Sequence, residues 1–162
     1  MSLHVIDTNV LVIADGRANH VSDLCQTDCI QFLADARSAG HILVDDRHLI
    51  LGEYLNQLRH GGQSGAGWAF YKWLHDHRNV RMLMVHITPI PGPDENYEQF
   101  PPNESRVRFD RSDRKFVAVA LASGKNPPIA NATDSDWADY HDALREAGVT
   151  VQFLCPTDCA PA

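Results

Sequence analysis

Leu3-His4-Val5-Ile6-Asp7-Thr8-Asn9 opens an alternation of apolar strands and helical segments that runs the length of the chain. Four residues that suit a buried strand run directly into three polar ones, so Asp7 marks the carboxyl end of a first strand. The same apolar pattern returns at His41-Ile42-Leu43-Val44, Val80 to Ile87, Ile129-Ala130-Asn131-Ala132 and Val149 to Leu154. Segments with helical spacing lie between these strands. Ile30, Leu33, Ala34 and Arg37 follow Thr27 as N-cap and precede Gly40. Leu51, Tyr54, Leu55 and Leu58 follow Asp45 or Asp46, with Glu53 at the edge of their stripe. Trp68 to His77 forms another such segment. Phe116, Val117, Ala120 and Leu121 follow Ser112, and Trp137, Tyr140, His141 and Leu144 lie between Ser135 and Gly148. Strands alternating with helices predict an α/β chain with a central parallel sheet of about five strands, covered on both faces.

The composition narrows the function. A chain of 162 residues, 44% hydrophobic, is one domain's worth of sequence and long enough to bury a core of its own. Fourteen Lys+Arg against 21 Asp+Glu give a net charge of −7, which excludes a broad basic surface as the means of holding nucleic acid. No apolar run has the length of a membrane span, and the first residues lack a signal-peptide layout, so a cytoplasmic protein with no membrane partner is expected. Gly61 to Gly67 is a glycine-rich loop but not a phosphate loop, because no Lys-Ser/Thr follows it. The stretch 88–102 contains five prolines and reads as an irregular excursion. Cys25/Cys29 and Cys155/Cys159 have three residues between partners where structural zinc sites usually have two. Separate, semi-buried thiols are expected, and neither zinc nor disulfides. The histidines show no repeated ligand spacing. Trp68, Phe70, Tyr71 and Trp73 fit a core-facing helix stripe better than a base-stacking surface.

In an open parallel sheet, ligands bind beyond the carboxyl ends of the strands, where the strand order reverses. Asp7 follows the first strand; Asp134 and Asp136 follow the fourth, in Thr133-Asp134-Ser135-Asp136-Trp137. Asp113 opens a helix near the same rim, and Glu53 lies on the margin of another. Each has an ordinary structural explanation as a cap, a turn or a solvated position. Together they form a set of converging carboxylates, which repel one another unless a cation neutralises them. Oxygen ligands without Cys or His suit Mg2+ or Mn2+, ions that serve phosphodiester cleavage.

These residues carry a family resemblance. Ile6-Asp7-Thr8-Asn9-Val10-Leu11 resembles the opening motif of PIN-domain nucleases, and Leu51-Gly52-Glu53-Tyr54 is similar to their second acidic position. Asp113-Arg114-Lys115-Phe116-Val117-Ala118-Val119-Ala120 resembles the third, and Ala132-Thr133-Asp134-Ser135-Asp136-Trp137 the fourth. The motifs stand in family order over nearly the whole chain. The resemblance implies a three-layer Rossmann-like α/β/α domain spanning 1–162, with the loop 61–67 and the excursion 88–102 as departures from the minimal pattern. It implies a Mg2+- or Mn2+-dependent endoribonuclease of a toxin or defence type that cleaves by activated water without a covalent intermediate. Asp7, Glu53, Asp113 and Asp134 would hold the metal, and Asp136 would be a further ligand or orient a water. Thr8, Asn9 and Thr133 would hydrogen-bond behind them. Asp110 competes with Asp113 for the third position, and the apolar spacing downstream favours Asp113. An antitoxin or other inhibitory partner and a homodimer are expectations of the resemblance alone.

Arg106, Arg108, Arg111, Arg114 and Lys115 place five of the 14 cations within ten positions, beside the third acidic motif. That is a candidate local grip on RNA phosphates. Two other readings use the same residues: a PIN-like module that binds RNA or assembles without turnover, and a DNA-directed nuclease of the same chemistry. A haloacid-dehalogenase-type phosphatase would need an acid at the position of Asn9.

Overall fold

The computed structural model describes residues 2–102 and 108–159. Five strands form one parallel sheet: β1 (Ser2–Ile6), β2 (Gly40–Asp45), β3 (Met82–Val85), β4 (Ile129–Asn131) and β5 (Val151–Phe153), in the order β3-β2-β1-β4-β5. The helices are α1 (Thr8–Ala14), α2 (Asp23–Ala39), α3 (Leu49–Leu58), α4 (Ala66–Asp76), a single turn α5 (Arg78–Arg81), α6 (Arg114–Ala122), α7 (Ser135–Asp139) and α8 (His141–Glu146). The sequence grows outward from β1 in one direction through β2 and β3, then returns to pair β4 on its other side. Right-handed crossovers on opposite sides of β1 place helices on both faces of the sheet. The α/β architecture and the parallel five-stranded sheet are those the alternating pattern predicts.

Val5, Ile6, Ile42, Leu43, Val44, Ile129 and Ala130 are all within 1% of full burial, as expected of strands covered on both faces. Phe116, Val117, Ala118 and Val119 of α6 are fully buried as well. The buried apolar residues form one contiguous core. No described helix is long and apolar enough to cross a membrane.

Several boundaries move, each for a local reason. The helix expected after Thr27 begins at Asp23, because the Ser22 side chain accepts the N–H of Cys25. Thr27 instead bonds back to the Asp23 carbonyl from inside the helix. Asp110 and Asp134, not Ser112 and Ser135, are the capping residues, their carboxylates accepting the N–H of Ser112 and Asp136. The strand expected from Val80 starts at Met82, after the turn α5. The stripe of α3 is rotated toward Ile50, Tyr54 and Leu58, leaving Leu55 exposed.

The cysteine expectation is overturned. Cys25 and Cys155 form a disulfide across 130 residues, while Cys29 and Cys159 remain free thiols. Spacing within each pair says nothing about the contact between the pairs, which forms only when β5 returns the chain to α2.

The two segments with no predicted role pack against neighbouring elements. In the glycine-rich loop, Gly65 and Gly67 let α4 approach α1. A Cβ on Gly67 would lie 2.0 Å from the Leu11 carbonyl oxygen, and one on Gly65 would lie 2.3 Å from the Asp15 carboxylate. That carboxylate accepts the N–H of Trp68 at 2.8 Å. In the proline-rich excursion, Pro89 bridges to Tyr97, and Phe100 is buried against Phe109. Phe109 in turn meets Trp137 edge-on at 5.0 Å.

The close approach of α1 and α4 gives a stability prediction. Gly67→Ala should lower the free energy of unfolding by about 1–3 kcal/mol, because backbone must move to admit the methyl group. Gly52→Ala, whose Cβ would meet nothing within 4 Å, should match or exceed the wild type. Urea titration of the two variants checks this pair of opposite signs.

Candidate metal centre

Asp7 leaves the carboxyl end of β1 and caps α1. Its Oδ1 accepts the Asn9 backbone N–H at 3.2 Å, and its Oδ2 accepts the indole N–H of Trp137 at 2.5 Å. Asp134 follows β4 and caps α7, its Oδ1 accepting the N–H of Asp136 at 3.0 Å. Since β1 and β4 are the neighbours at which the strand order reverses, these two acids flank the crevice where ligands bind in such sheets. Asp113 arrives from a third direction, at the end of the 3-10 turn Arg111–Asp113 that leads into α6. One carboxylate oxygen from each of Asp7, Asp113 and Asp134 lies within 4.8 Å of the others. Asp113 also joins a second group, with Asp110 and Asp136, inside the same limit. Asp113 is buried and common to both groups, whereas Asp110 is exposed and belongs to one.

Side-chain amides hold the rim. Asn9 Nδ2 donates to Asn131 Oδ1 at 2.7 Å, and Asn9 Oδ1 accepts the Ala132 N–H at 3.0 Å, tying α1 to the end of β4. Asn131, fully buried, donates from Nδ2 to the Asp134 carbonyl at 3.1 Å and accepts the Asp134 N–H at 3.2 Å. Tyr54 donates its hydroxyl to the Ile6 carbonyl, fixing the residue before Asp7. Thr133 is half-buried within the same turn. Asp136 Oδ2 accepts the Asp110 N–H at 3.1 Å.

The electrostatics follow from that crowding. Burial, then the charges of Asp134 and Glu53, raise the Asp7 carboxyl to about 7 against the opposing hydrogen bonds from Asn9 and Trp137. Burial also pushes Asp113 well above the carboxylate range, with Asp7, Asp134 and Asp110 adding to the effect. Asp136 is raised by its partial burial and by Asp134. Asp113 Oδ2 is buried without a hydrogen-bond partner. An oxygen-only donor set with an unsatisfied carboxylate oxygen fits a hard divalent cation, which would relieve both the repulsion and the missing contact.

Glu53 lies outside the three-carboxylate group. Its Oε1 accepts the Thr8 hydroxyl at 2.6 Å, and its Oε2 pairs with the buried Lys115 ammonium. The expected phosphate grip is dispersed. Lys115 is spent on Glu53 and the Ser112 carbonyl. Arg114 is buried, its guanidinium 5.2 Å from the centre of the Phe100 ring. Both face inward because α6 is an almost wholly buried helix, so residues in its first turn cannot reach solvent. Arg111 is exposed and pairs with Asp94 at 2.6 Å, and Arg108 is exposed. Arg106 lies outside the described residues.

Sequence reasoning missed Trp137 and Asn131 as parts of the site. Both read as apolar-segment residues, and the only signal was a buried polar side chain in the apolar run Ile129 to Ala132.

No family model matches the chain, and no curated protein matches it. Among solved structures, the crystal structure of VapBC2 from Rickettsia felis bound to a DNA fragment from its promoter aligns over 93% of this chain and 98% of that one. The identity is 12% and the TM-score 0.41.

The raised carboxyl of Asp7 has a definite consequence for stability. In the folded protein it binds its proton more tightly than in the unfolded chain. Its contribution is therefore fully present below the ordinary carboxylate value of 3.8 and is lost as pH rises toward about 7. Asp7→Asn carries no charge at any of these pH values, and its single side-chain oxygen keeps either the Asn9 cap or the Trp137 contact. In metal-free buffer the variant should gain on the wild type in unfolding free energy between those pH values and level off above. A wild type that holds or widens its lead over the variant as pH rises would contradict this electrostatic account.

Proposed function

We propose that the chain is a divalent-metal-dependent nuclease that hydrolyses internal phosphodiester bonds of RNA. The observation that carries the reading is the meeting of Asp7, Asp113 and Asp134, from three separated segments, within 4.8 Å at the reversal of strand order. These three would hold Mg2+ or Mn2+, with Asp136 as a further ligand or as the group that orients water. Glu53 would complete the acidic margin from α3. A bound ion of this kind supplies positive charge that lowers the pKa of water and stabilises the leaving oxygen.

The chain's own residues prepare that chemistry. Trp137 and the Asn9 N–H fix the two oxygens of Asp7, so its orientation does not depend on the ligand. Asn131 and Asn9 lock the turn carrying Asp134 to the end of β1. Thr8 and Lys115 hold Glu53 at the edge of the cluster. Beside it lies a groove lined by Gly52, Glu53, Asn56, Arg59 and Ser112, open to a polynucleotide backbone. Among the described cations of the 106–115 group, Arg108 and Arg111 face solvent and can meet phosphate. With a net charge of −7, affinity for RNA depends on such local contacts and on the bound cation. An antitoxin-type inhibitory protein and a homodimer belong to the same reading.

Labelled RNA and DNA incubated with Mg2+, Mn2+ or EDTA test it. RNA should be cut with either metal and spared in EDTA, and Asp7→Asn or Asp113→Asn should reduce the rate by about 100-fold or more. Cleavage that survives EDTA or both substitutions removes the metal mechanism, and RNA binding without cleavage points to a binding module. Cleavage of DNA in preference to RNA corrects the substrate.

Reversing Arg108 and Arg111 to Glu should weaken RNA binding and reduce its salt dependence by about one to two ions released. An unchanged salt slope returns both arginines to the solvated surface.

A further inference from the structure

The cysteines take no part in the chemistry just described, yet one of them touches its scaffold. The Cys25–Cys155 disulfide joins α2 to the segment that follows β5. Beyond Cys155 the chain makes one turn, closed by the Cys159 N–H on the Cys155 carbonyl at 3.0 Å. The turn is also anchored at Ser22, whose N–H and hydroxyl both donate to the Asp158 carboxylate, at 2.8 and 2.9 Å. Its last residue, Cys159, is buried and donates its thiol to the Asp134 carbonyl at 3.3 Å. Asn131 Nδ2 reaches that same carbonyl at 3.1 Å and the Cys159 sulfur at 3.6 Å. A covalent bond at one end of a short turn thereby steadies the backbone on which one of the three clustered carboxylates stands.

We propose that the Cys25–Cys155 disulfide is a redox-operated clamp on Asp134. Closed, it seats Cys159 against the Asp134 carbonyl and keeps the three carboxylates together. Opened by a dithiol, it frees the 155–159 turn and lets the Asp134 loop relax. The functional meaning of the clamp rests on the metal-site reading; the clamp itself does not. In the opening step a thiolate of the dithiol attacks one sulfur of the pair, the S–S bond breaks and the departing sulfur takes a proton. The second thiol of the reductant then resolves the mixed disulfide. Two electrons pass to the protein, which ends with Cys25 and Cys155 as thiols, and the reductant ends as a cyclic disulfide.

Three features fit this role. Cys155 is followed directly in the chain by the exposed residues Pro156 and Thr157, so local fraying of the turn would admit a reductant. The Ser22–Asp158 hydrogen bonds are at the surface, where water competes for both partners, and hold the turn weakly once the covalent link is gone. Cys29, whose sulfur is grouped within 4.8 Å of the bonded pair, does not open it from within. Burial, helped by Asp28, pushes that thiol up to about 12, so it stays protonated and unreactive at neutral pH.

The test is amide hydrogen exchange on the full metal-free chain, with and without dithiothreitol, read at 131–136, at 155–159 and, as a reference, at 116–120 in α6. Reduction should speed exchange in the first two segments by about tenfold or more and leave the third unchanged. Cys25→Ser/Cys155→Ser should show the faster exchange whether or not reductant is present. Cys159→Ala, which keeps the disulfide, should loosen 131–136 in oxidised protein. Equal exchange at 131–136 in both redox states overturns the clamp. So does loss of protection at 116–120 in parallel, the mark of a cross-link that merely stabilises the whole fold. An unmoved 131–136 in Cys159→Ala removes the route through that thiol. Mn2+ binding, followed in parallel, should weaken by about tenfold on reduction. If Mn2+ binds neither form while 131–136 still responds, the metal reading fails and the clamp stands.

Discussion

A parallel sheet whose strand order reverses at β1 must leave a crevice beyond the carboxyl ends of β1 and β4, because the two connections depart to opposite faces. Everything distinctive about this chain is arranged around that gap. Asp7 and Asp134 are the residues the two strands deliver to it, and each also caps the helix that leaves. The capping bond orients the carboxylate and the helix start together, so neither can shift without the other. Asp113 is brought to the same place by an unrelated device, a 3-10 turn that begins a buried helix.

Three carboxylates so close are a liability to the fold alone. Burial raises Asp7 and Asp113 far above ordinary carboxyl values, and their mutual repulsion adds to the effect. The surroundings offset part of the cost with directional hydrogen bonds, above all from Trp137 to Asp7. The excursion 88–102 contributes indirectly, since Phe100 stacks on Phe109 and Phe109 abuts Trp137. Stability is thus spent on holding an arrangement that a divalent cation would favour. An uncharged core would not have required it.

The basic residues show why linear proximity is a poor guide to a surface. Five cations within ten positions read as one patch, but the chain turns from an exposed segment into a buried helix in their midst. Lys115 then becomes the internal partner of Glu53, and Arg114 lies over an aromatic ring. A lysine buried beside a carboxylate from α3 positions that acid and does not meet a polymer. The glycine-rich loop teaches a similar lesson: Gly65 and Gly67 make room for the α1 backbone at Leu11 and for Asp15 just beyond it.

The sequence alone determined the alternation of strands and helices, and it pointed to Asp7, Asp113 and Asp134, which the fold brings together, as well as to Glu53, which the fold leaves outside that group. Buried parallel strands must be apolar on both faces, and the polar residues that first follow such a strand necessarily lie at the rim. Asp7 and Asp134 were legible for that reason, and Asp113 because it heads a helix with an unbroken apolar run. Contacts between segments distant in the chain were settled only in three dimensions. Trp137 reaching Asp7, Asn131 bridging Asn9 and Asp134, Lys115 turning to Glu53 and Cys25 bonding Cys155 all join such segments. Local periodicity fixes which face of an element is buried. It holds no information about which side chain from another element will meet it there, because that depends on strand order and on the packing of helices across the sheet.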